Sequence, residues 1–173
     1  STITRSLATF TSIEKLTLAG AAAINGTGNG LANTITGNAA ANTLNGGIDT
    51  RIDTLTGGLG NDTYFYRNGD VIVELAGQGT ADHVKVIATH ALAANANIEF
   101  LETTLNSGVG AINLTGNAIG QTITGNNGIN VLSGLAGNDT LLGLGSNDTL
   151  NGGLGIDKLS GGLGVDTFVF NTA

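Results

Sequence analysis

The chain has no cysteine, proline, tryptophan or methionine. Without cysteine there is no disulfide framework and no thiolate metal site. Aromatic residues are scarce, two tyrosines and five phenylalanines in 173 residues, so the core must be thin, as in a narrow coil. Basic residues are scarce too: six Lys and Arg stand against 13 Asp and Glu, for a formal net charge of −7. With no basic stripe, nucleic acid is disfavoured as a partner, and so is an anionic membrane surface. No apolar run approaches the ~20 residues of a membrane-spanning helix, so membrane insertion is not expected. No charged start followed by an apolar stretch marks a signal peptide. What is abundant is glycine, 29 residues, which in the absence of proline suits many tight turns joined by uninterrupted ladders.

From Gly116 onward the chain counts in nines. Gly116, Gly125, Gly134, Gly143, Gly152 and Gly161 each open a nine-residue unit. The sixth residues are Gln121, Asn130, Asp139, Asp148, Asp157 and Asp166, and the eighth are Ile123, Leu132, Leu141, Leu150, Leu159 and Phe168. Such a period means that one small supersecondary unit is stacked along an axis. Each nonapeptide divides into a six-residue turn and a three-residue strand that alternates out, in, out, so one apolar side chain per unit points inward. Two nonapeptides make one coil, with turns on opposite sides. The expected fold is all-β, a parallel β-roll or β-solenoid of 18-residue coils.

Side chains 18 residues apart then stack at about 4.7–4.9 Å. Two oxygens at that spacing can share one Ca²⁺, whose bonds to oxygen run about 2.3–2.6 Å. The expected stacked pairs are Asp139 with Asp157 on one side and Asp148 with Asp166 on the other. Without metal, such carboxylates repel by about 1 kcal/mol in water and by several when partly desolvated. The aspartate coils should therefore be loose until calcium arrives. Units with Asn33, Asn42, Gln121 or Asn130 at the sixth position carry no charge there. A stacked amide can hydrogen-bond its neighbour instead, which makes those coils metal-independent structure.

The last two units read Gly-Gly-Leu-Gly-Ile-Asp-Lys-Leu-Ser and Gly-Gly-Leu-Gly-Val-Asp-Thr-Phe-Val, and Gly57–Phe65 follows the same G-G-x-G-x-D-x-U-x pattern. The chain thereby resembles the RTX (repeats-in-toxin, haemolysin-type calcium-binding) family. The resemblance implies Ca²⁺ as the bound ion and extracellular or cell-surface localisation. It also implies type I secretion directed by a C-terminal signal, which is not recognisable here. The candidate metal residues are Asp139, Asp148, Asp157, Asp166, Asp62 and Asp53, with Gly153, Gly155, Gly162 and Gly164 framing the last two turns. Two units depart from the pattern: Leu135 and Leu144 take the second-glycine place, and Ser146 takes the fourth.

A longer repeat lies over the first. Ile35-Thr36-Gly37-Asn38 recurs as Ile123-Thr124-Gly125-Asn126, and Ile13-Glu14-Lys15-Leu16 has its counterpart in Ile98-Glu99-Phe100-Leu101. Two module copies are expected, 1–89 and 90–173, each passing from asparagine-type to aspartate-type coils. In the first copy the unit opening at Gly46 has 11 residues. Asp53 and Asp62 keep their phase only if the extra residues around Asp49-Thr50-Arg51 bulge outward. Tyr64–Tyr66 and Val71–Glu74 read as strand, turn, strand, and Asp82 ends a G-x-G-x-D-like turn with one residue too many, which makes it a further ligand candidate. The His90–Leu105 stretch reads as strand or solenoid coil rather than helix. Both ends look cut, as in a fragment of a larger tandem array.

Other chemistry is weakly supported. Asp49 and Asp70 read as ordinary turn residues. His83 and His90 have no partner cysteines for zinc. Glu14, Glu99 and Glu102 could suggest paired acids, but Glu14 and Glu99 occupy equivalent repeat positions, which favours structure. No nucleophile–base constellation and no phosphate loop occurs, so the chain is not read as an enzyme. The expected function is a calcium-binding module coupling Ca²⁺ to extracellular folding. The alternative is a self-associating element of an adhesin, surface layer or fibre, stacked end to end. A binding surface for ice or glycans is a third reading, weakened by the absence of a long regular threonine ladder.

Overall fold

The structure, a computed structural model, describes residues 3–67 and 69–170. The described residues hold no helix and 18 strands. The chain divides into two units, Ser1–Val84 and Lys85–Ala173. The first contains β1 (Ile3–Ser6), β2 (Lys15–Thr17), β3 (Ile24–Thr27), β4 (Thr34–Thr36), β5 (Thr43–Asn45), β6 (Thr54–Thr56), β7 (Thr63–Tyr66) and β8 (Val71–Val73). Strand β9 (His83–Val86) runs through the division. The second contains β10 (His90–Ala91), β11 (Phe100–Thr103), β12 (Leu114–Thr115), β13 (Thr122–Thr124), β14 (Val131–Ser133), β15 (Thr140–Gly145), β16 (Thr149–Asn151), β17 (Lys158–Leu163) and β18 (Thr167–Val169).

Each unit is a parallel β-solenoid. In the first, β1-β3-β5-β7 form one ladder and β2-β4-β6-β8 the other. In the second, the ladders are β11-β13-β15-β17 and β10-β12-β14-β16-β18. Consecutive strands alternate between ladders, so each strand pairs with the one a full coil later. The step is 18 residues where the nonapeptides are regular, as in Thr122↔Thr140 and Thr149↔Thr167. It is 20 at Thr34↔Thr54 and 17 at Thr54↔Val71, where the repeat is irregular. Strands β7 and β8 are strands as expected but belong to different ladders, so they do not pair as a hairpin. The His90–Leu105 stretch contributes β10 and β11.

The middle residue of each short strand faces inward. Ile35, Leu44, Leu55 and Tyr64 are fully buried in the first unit, as are Ile123, Leu132, Leu141 and Leu150 in the second. Each contributes about 1.5–3 kcal/mol of burial, and a coil has two such residues, so the core is one side chain deep. Leu159 is half-buried and Phe168 is 41 % exposed. They lie on β17 and β18, which have no further strand on one side among the described residues. The extra residues of the Gly46 unit bulge outward: Ile48 is 88 % exposed and Arg51 and Ile52 are exposed, while Asp53 returns to the buried row.

Candidate metal sites

The sixth-position side chain closes every turn. Its oxygen folds back over the first glycine of its own turn: a Cβ on Gly134 would lie 2.2 Å from Asp139 Oδ2, and one on Gly125 would lie 2.1 Å from Asn130 Oδ1. A side chain at the first position would fill the space that this oxygen occupies, which is why the repeat opens with glycine. The tightest stacking is at Gly155, with φ of 137°. A Cβ there would lie 1.7 Å from the carbonyl oxygen of Gly137, one coil away.

Aspartate and amide turns use this position differently. In the aspartate turns Oδ1 accepts the backbone N–H of the sixth residue one coil earlier. Asp139 N donates to Asp157 at 2.9 Å and Asp148 N to Asp166 at 2.9 Å. Likewise Asp62 N donates to Asp82 at 2.6 Å and Asp53 N to Asp70 at 3.0 Å. The expected pairs 139/157 and 148/166 are thus stacked, on alternate ladders. Asp53 and Asp62 stack not on each other but on Asp70 and Asp82. The other oxygen, Oδ2, is buried and has no hydrogen-bond partner among the described residues at Asp62, Asp139 and Asp148.

In the amide turns an NH₂ group stands where the aspartate turns have no donor. Asn42 accepts from Asn38 N through Oδ1 and donates to Ile24 O at 2.7 Å. Asn130 accepts from Asn126 N and donates to Ile112 O at 2.8 Å. The second-position asparagines cap the turns further. Asn38 donates to Gly20 O and Ala22 O, and Asn117 to Ala93 O at 2.9 Å and Ala96 O at 2.7 Å. The expected bonding of an amide to the amide stacked on it is not found among the described residues. Asn42 and Asn130 reach backbone carbonyls of the preceding coil instead, and Asn42, Asn130 and Gln121 donate to the second-position asparagine of their own turn, Asn38, Asn126 and Asn117. Along the row the residue stacked after each amide is an aspartate (Asn42 N to Asp62, Asn130 N to Asp148). A carboxylate has no proton to give those carbonyls. A hard cation would supply there the positive end that the NH₂ dipole supplies in the amide turns.

The electrostatics agree with a missing positive charge. Burial pushes the carboxyl of Asp62 up to about 6, against a bond from Asn42 N–H that lowers it, and the Asp82 charge adds to the rise. Asp53, Asp70, Asp139 and Asp148 are shifted upward as well, again chiefly by burial, with Asp157 and Asp166 adding at the last two. Buried oxygens that lack donors, glycine turns and an all-oxygen surrounding fit a calcium-type ion. The residues that would hold one are the stacked aspartates, with the carbonyls of the turns framed by Gly153, Gly155, Gly162 and Gly164.

The departures from the repeat keep the glycine conformation. Leu135, Leu144 and Ser146 have φ of 75°, 81° and 70°, the left-handed region that costs a residue with a Cβ roughly 1–2 kcal/mol. The sequence marks Asp82 only as a ligand candidate of an irregular turn and does not mark Asp70 or Glu74 as positions of the array. Asp70 and Asp82 sit in the stacked row, buried. Glu74 is buried beside Tyr64, whose hydroxyl donates to Glu74 Oε2. The signal for Asp70 and Asp82 was their distance from the preceding aspartate, blurred by turns of unequal length. Glu14 and Glu99 play one backbone role in the two units, accepting from Thr34 N and Thr122 N, and Glu102 pairs with Lys85 at 3.1 Å.

The family described as RTX calcium-binding nonapeptide repeat (4 copies) matches residues 27–63, 49–73, 115–150, 124–159 and 142–171. None of the curated proteins or solved structures compared with the chain matches it. The matches cover Asp53, Asp62, Asp70, Asp139, Asp148, Asp157 and Asp166, but not Asp82, and span more than half of the sequence. The chain belongs to the RTX calcium-binding nonapeptide repeat family.

Proposed function

We propose that the chain is a calcium-dependent folding module of a secreted or cell-surface protein, with a structural and not a catalytic role. Asp139 with Asp157, Asp148 with Asp166, and Asp53 and Asp62 with their stacked partners hold the ions, together with turn carbonyls. The observation that carries this reading is the buried Oδ2 of Asp62, Asp139 and Asp148, left without a donor where the amide turns have one. Extracellular calcium modules bind with Kd of about 10⁻⁴–10⁻³ M. Such a chain stays loose where calcium is scarce, which suits export in an unfolded state, and stiffens outside. Each ion at a hundredfold excess over its Kd adds about 2.7 kcal/mol. The copies at 1–89 and 90–173 act as two modules of the same design.

Circular dichroism of chelator-treated protein titrated with Ca²⁺, with Mg²⁺ as control, tests this. A cooperative gain of β signal with calcium alone is expected. A chain fully folded in chelator and indifferent to calcium contradicts it. A second reading, self-association into fibres or surface arrays, draws on the exposed apolar side chains Leu154, Ile156, Leu163 and Val165, since an exposed apolar patch marks interaction surface. Sedimentation velocity across concentration separates it: a single slow species rules it out.

A further inference from the structure

We propose that the ion at the stacked pair Asp62 and Asp82 takes a third carboxylate ligand that the repeat pattern does not contain: Ca²⁺ held by one oxygen each of Asp62, Glu74 and Asp82, with Glu74 standing where a repeat has its first glycine. The register of β6 with β8, Thr54↔Val71 through Thr56↔Val73, brings the next residues, Gly57 and Glu74, to equivalent places. A first-position side chain is tolerated here because the turn is longer, nine residues from Glu74 to Asp82 against six from Gly57 to Asp62. Gly79 takes over the close approach: a Cβ on it would lie 2.1 Å from Asp82 Oδ2 and 2.4 Å from Gly60 O. Glutamate is therefore free to turn its carboxylate inward.

All three acids are closed off from solvent, with exposures of 0 % for Asp62, 1 % for Glu74 and 0 % for Asp82. One ligand oxygen from each lies within 4.8 Å of the others. Calcium–oxygen bonds of about 2.3–2.6 Å let one ion touch oxygens up to about 4.6–5.2 Å apart, so a single calcium reaches all three. Independently, Asp62 Oδ2 has no hydrogen-bond partner among the described residues. It converges with Tyr64 Oη beside Gly57, where a Cβ would lie 2.2 and 2.1 Å from the two. The charge that Asp62 feels from Asp82 has its own sign. The Tyr64 hydroxyl donates to Glu74 Oε2 and orients that carboxylate. Three carboxylates closed off from solvent make a hard, oxygen-only set. This suits calcium better than magnesium, which retains several waters.

The proposal rests on the calcium reading above, and the test keeps the two apart. Tyr64 and Tyr66 are the only tyrosines, and there is no tryptophan. Terbium bound in place of calcium is therefore sensitised only near them. Tb³⁺ is titrated into the chelator-treated full chain under tyrosine excitation and displaced with Ca²⁺, beside calorimetry with Ca²⁺ alone. The expected result is sensitised emission that calcium displaces, that Tyr64→Phe abolishes and that Tyr66→Phe retains. Glu74→Gln should weaken terbium binding about tenfold or more while calorimetry still shows calcium binding elsewhere. Calorimetric calcium binding without sensitised emission overturns an ion at Asp62 and Asp82, and this proposal with it, and leaves the aspartate turns of the second unit standing. Unchanged terbium affinity in Glu74→Gln overturns the third ligand and leaves the stacked pair standing. No calcium binding at all overturns the broader reading and this site with it. Should Glu74→Gln fail to fold, the tyrosine pair decides: emission lost with Tyr66→Phe and kept with Tyr64→Phe overturns the proposal.

Discussion

On the proposed reading, exchanging an amide NH₂ for a carboxylate oxygen at the sixth position of a turn decides whether the turn is closed by the chain itself or by an ion. Asn130 and Asp148 show both states on consecutive levels of one row: Asn130 N donates to Asp148 Oδ1 at 2.8 Å, and Asp148 N donates in turn to Asp166. Carboxylates about 5 Å apart repel by about 1–3 kcal/mol at effective dielectric constants between those of water and a protein surface. Asp148→Asn should therefore raise the melting temperature in chelator by a few degrees and shrink the further rise that calcium produces. Differential scanning calorimetry with and without calcium reads both effects. A lower melting temperature in chelator would contradict the account. A second residue-scale test concerns strain. Leu144 holds φ of 81°, so Leu144→Gly should stabilise the calcium-loaded chain by about 1 kcal/mol, after the entropic cost of glycine is set against the relief.

The raised carboxyl of Asp62 carries a pH dependence whose sign is opposite to that of an ordinary salt bridge. Its folded value of about 6 lies above the ordinary 3.8, so the calcium-free fold binds this proton more tightly than the unfolded chain does. That contribution, on the order of 2–3 kcal/mol, is complete below about pH 4 and is lost as pH rises to about 6. Asp53, Asp70, Asp139 and Asp148 shift in the same direction. In chelator the melting temperature should fall between pH 4 and 6. Calcium competes with the protons, so its stabilising effect should grow over the same interval. Melting curves by circular dichroism across this range check it, and a chelator curve that rises with pH would contradict it.

At the scale of the element, the nine-residue unit is legible because each position answers to one contact. The first glycine leaves room for the sixth side chain, the eighth residue fills the core, and the alternation of strands follows from two turns per coil. The stacking of Asp139 on Asp157 was therefore readable from spacing alone. What spacing did not reveal lies where turns change length. Asp70 stacks on Asp53 after 17 residues and Asp82 on Asp62 after 20, so neither stands at the repeat distance, yet both are buried in the row. Glu74 breaks the glycine rule outright, and only the longer turn behind it explains how its carboxylate comes to lie inside. The second-position asparagines Asn29, Asn38, Asn117 and Asn126 were visible in the sequence. Their role depends on carbonyls one coil away, such as Phe10 O and Ile13 O for Asn29, and local pattern does not show which carbonyls those are.

At the scale of the molecule, each unit passes from amide-closed coils to carboxylate-closed coils: Asn33 and Asn42 precede Asp53 and Asp62, and Gln121 and Asn130 precede Asp139 through Asp166. The amide coils satisfy their turn carbonyls without help, and their aliphatic core residues are fully buried. They can stand as a folded template onto which the aspartate coils wind when calcium is present. Solenoids permit this because each coil touches chiefly its neighbours, so stability varies along the axis. The most direct test of this division is amide hydrogen exchange in chelator and in saturating calcium. The account predicts that β4, β5, β13 and β14 are already protected in chelator, whereas β15 to β18 become protected only with calcium. Equal protection of all these strands without calcium would contradict it.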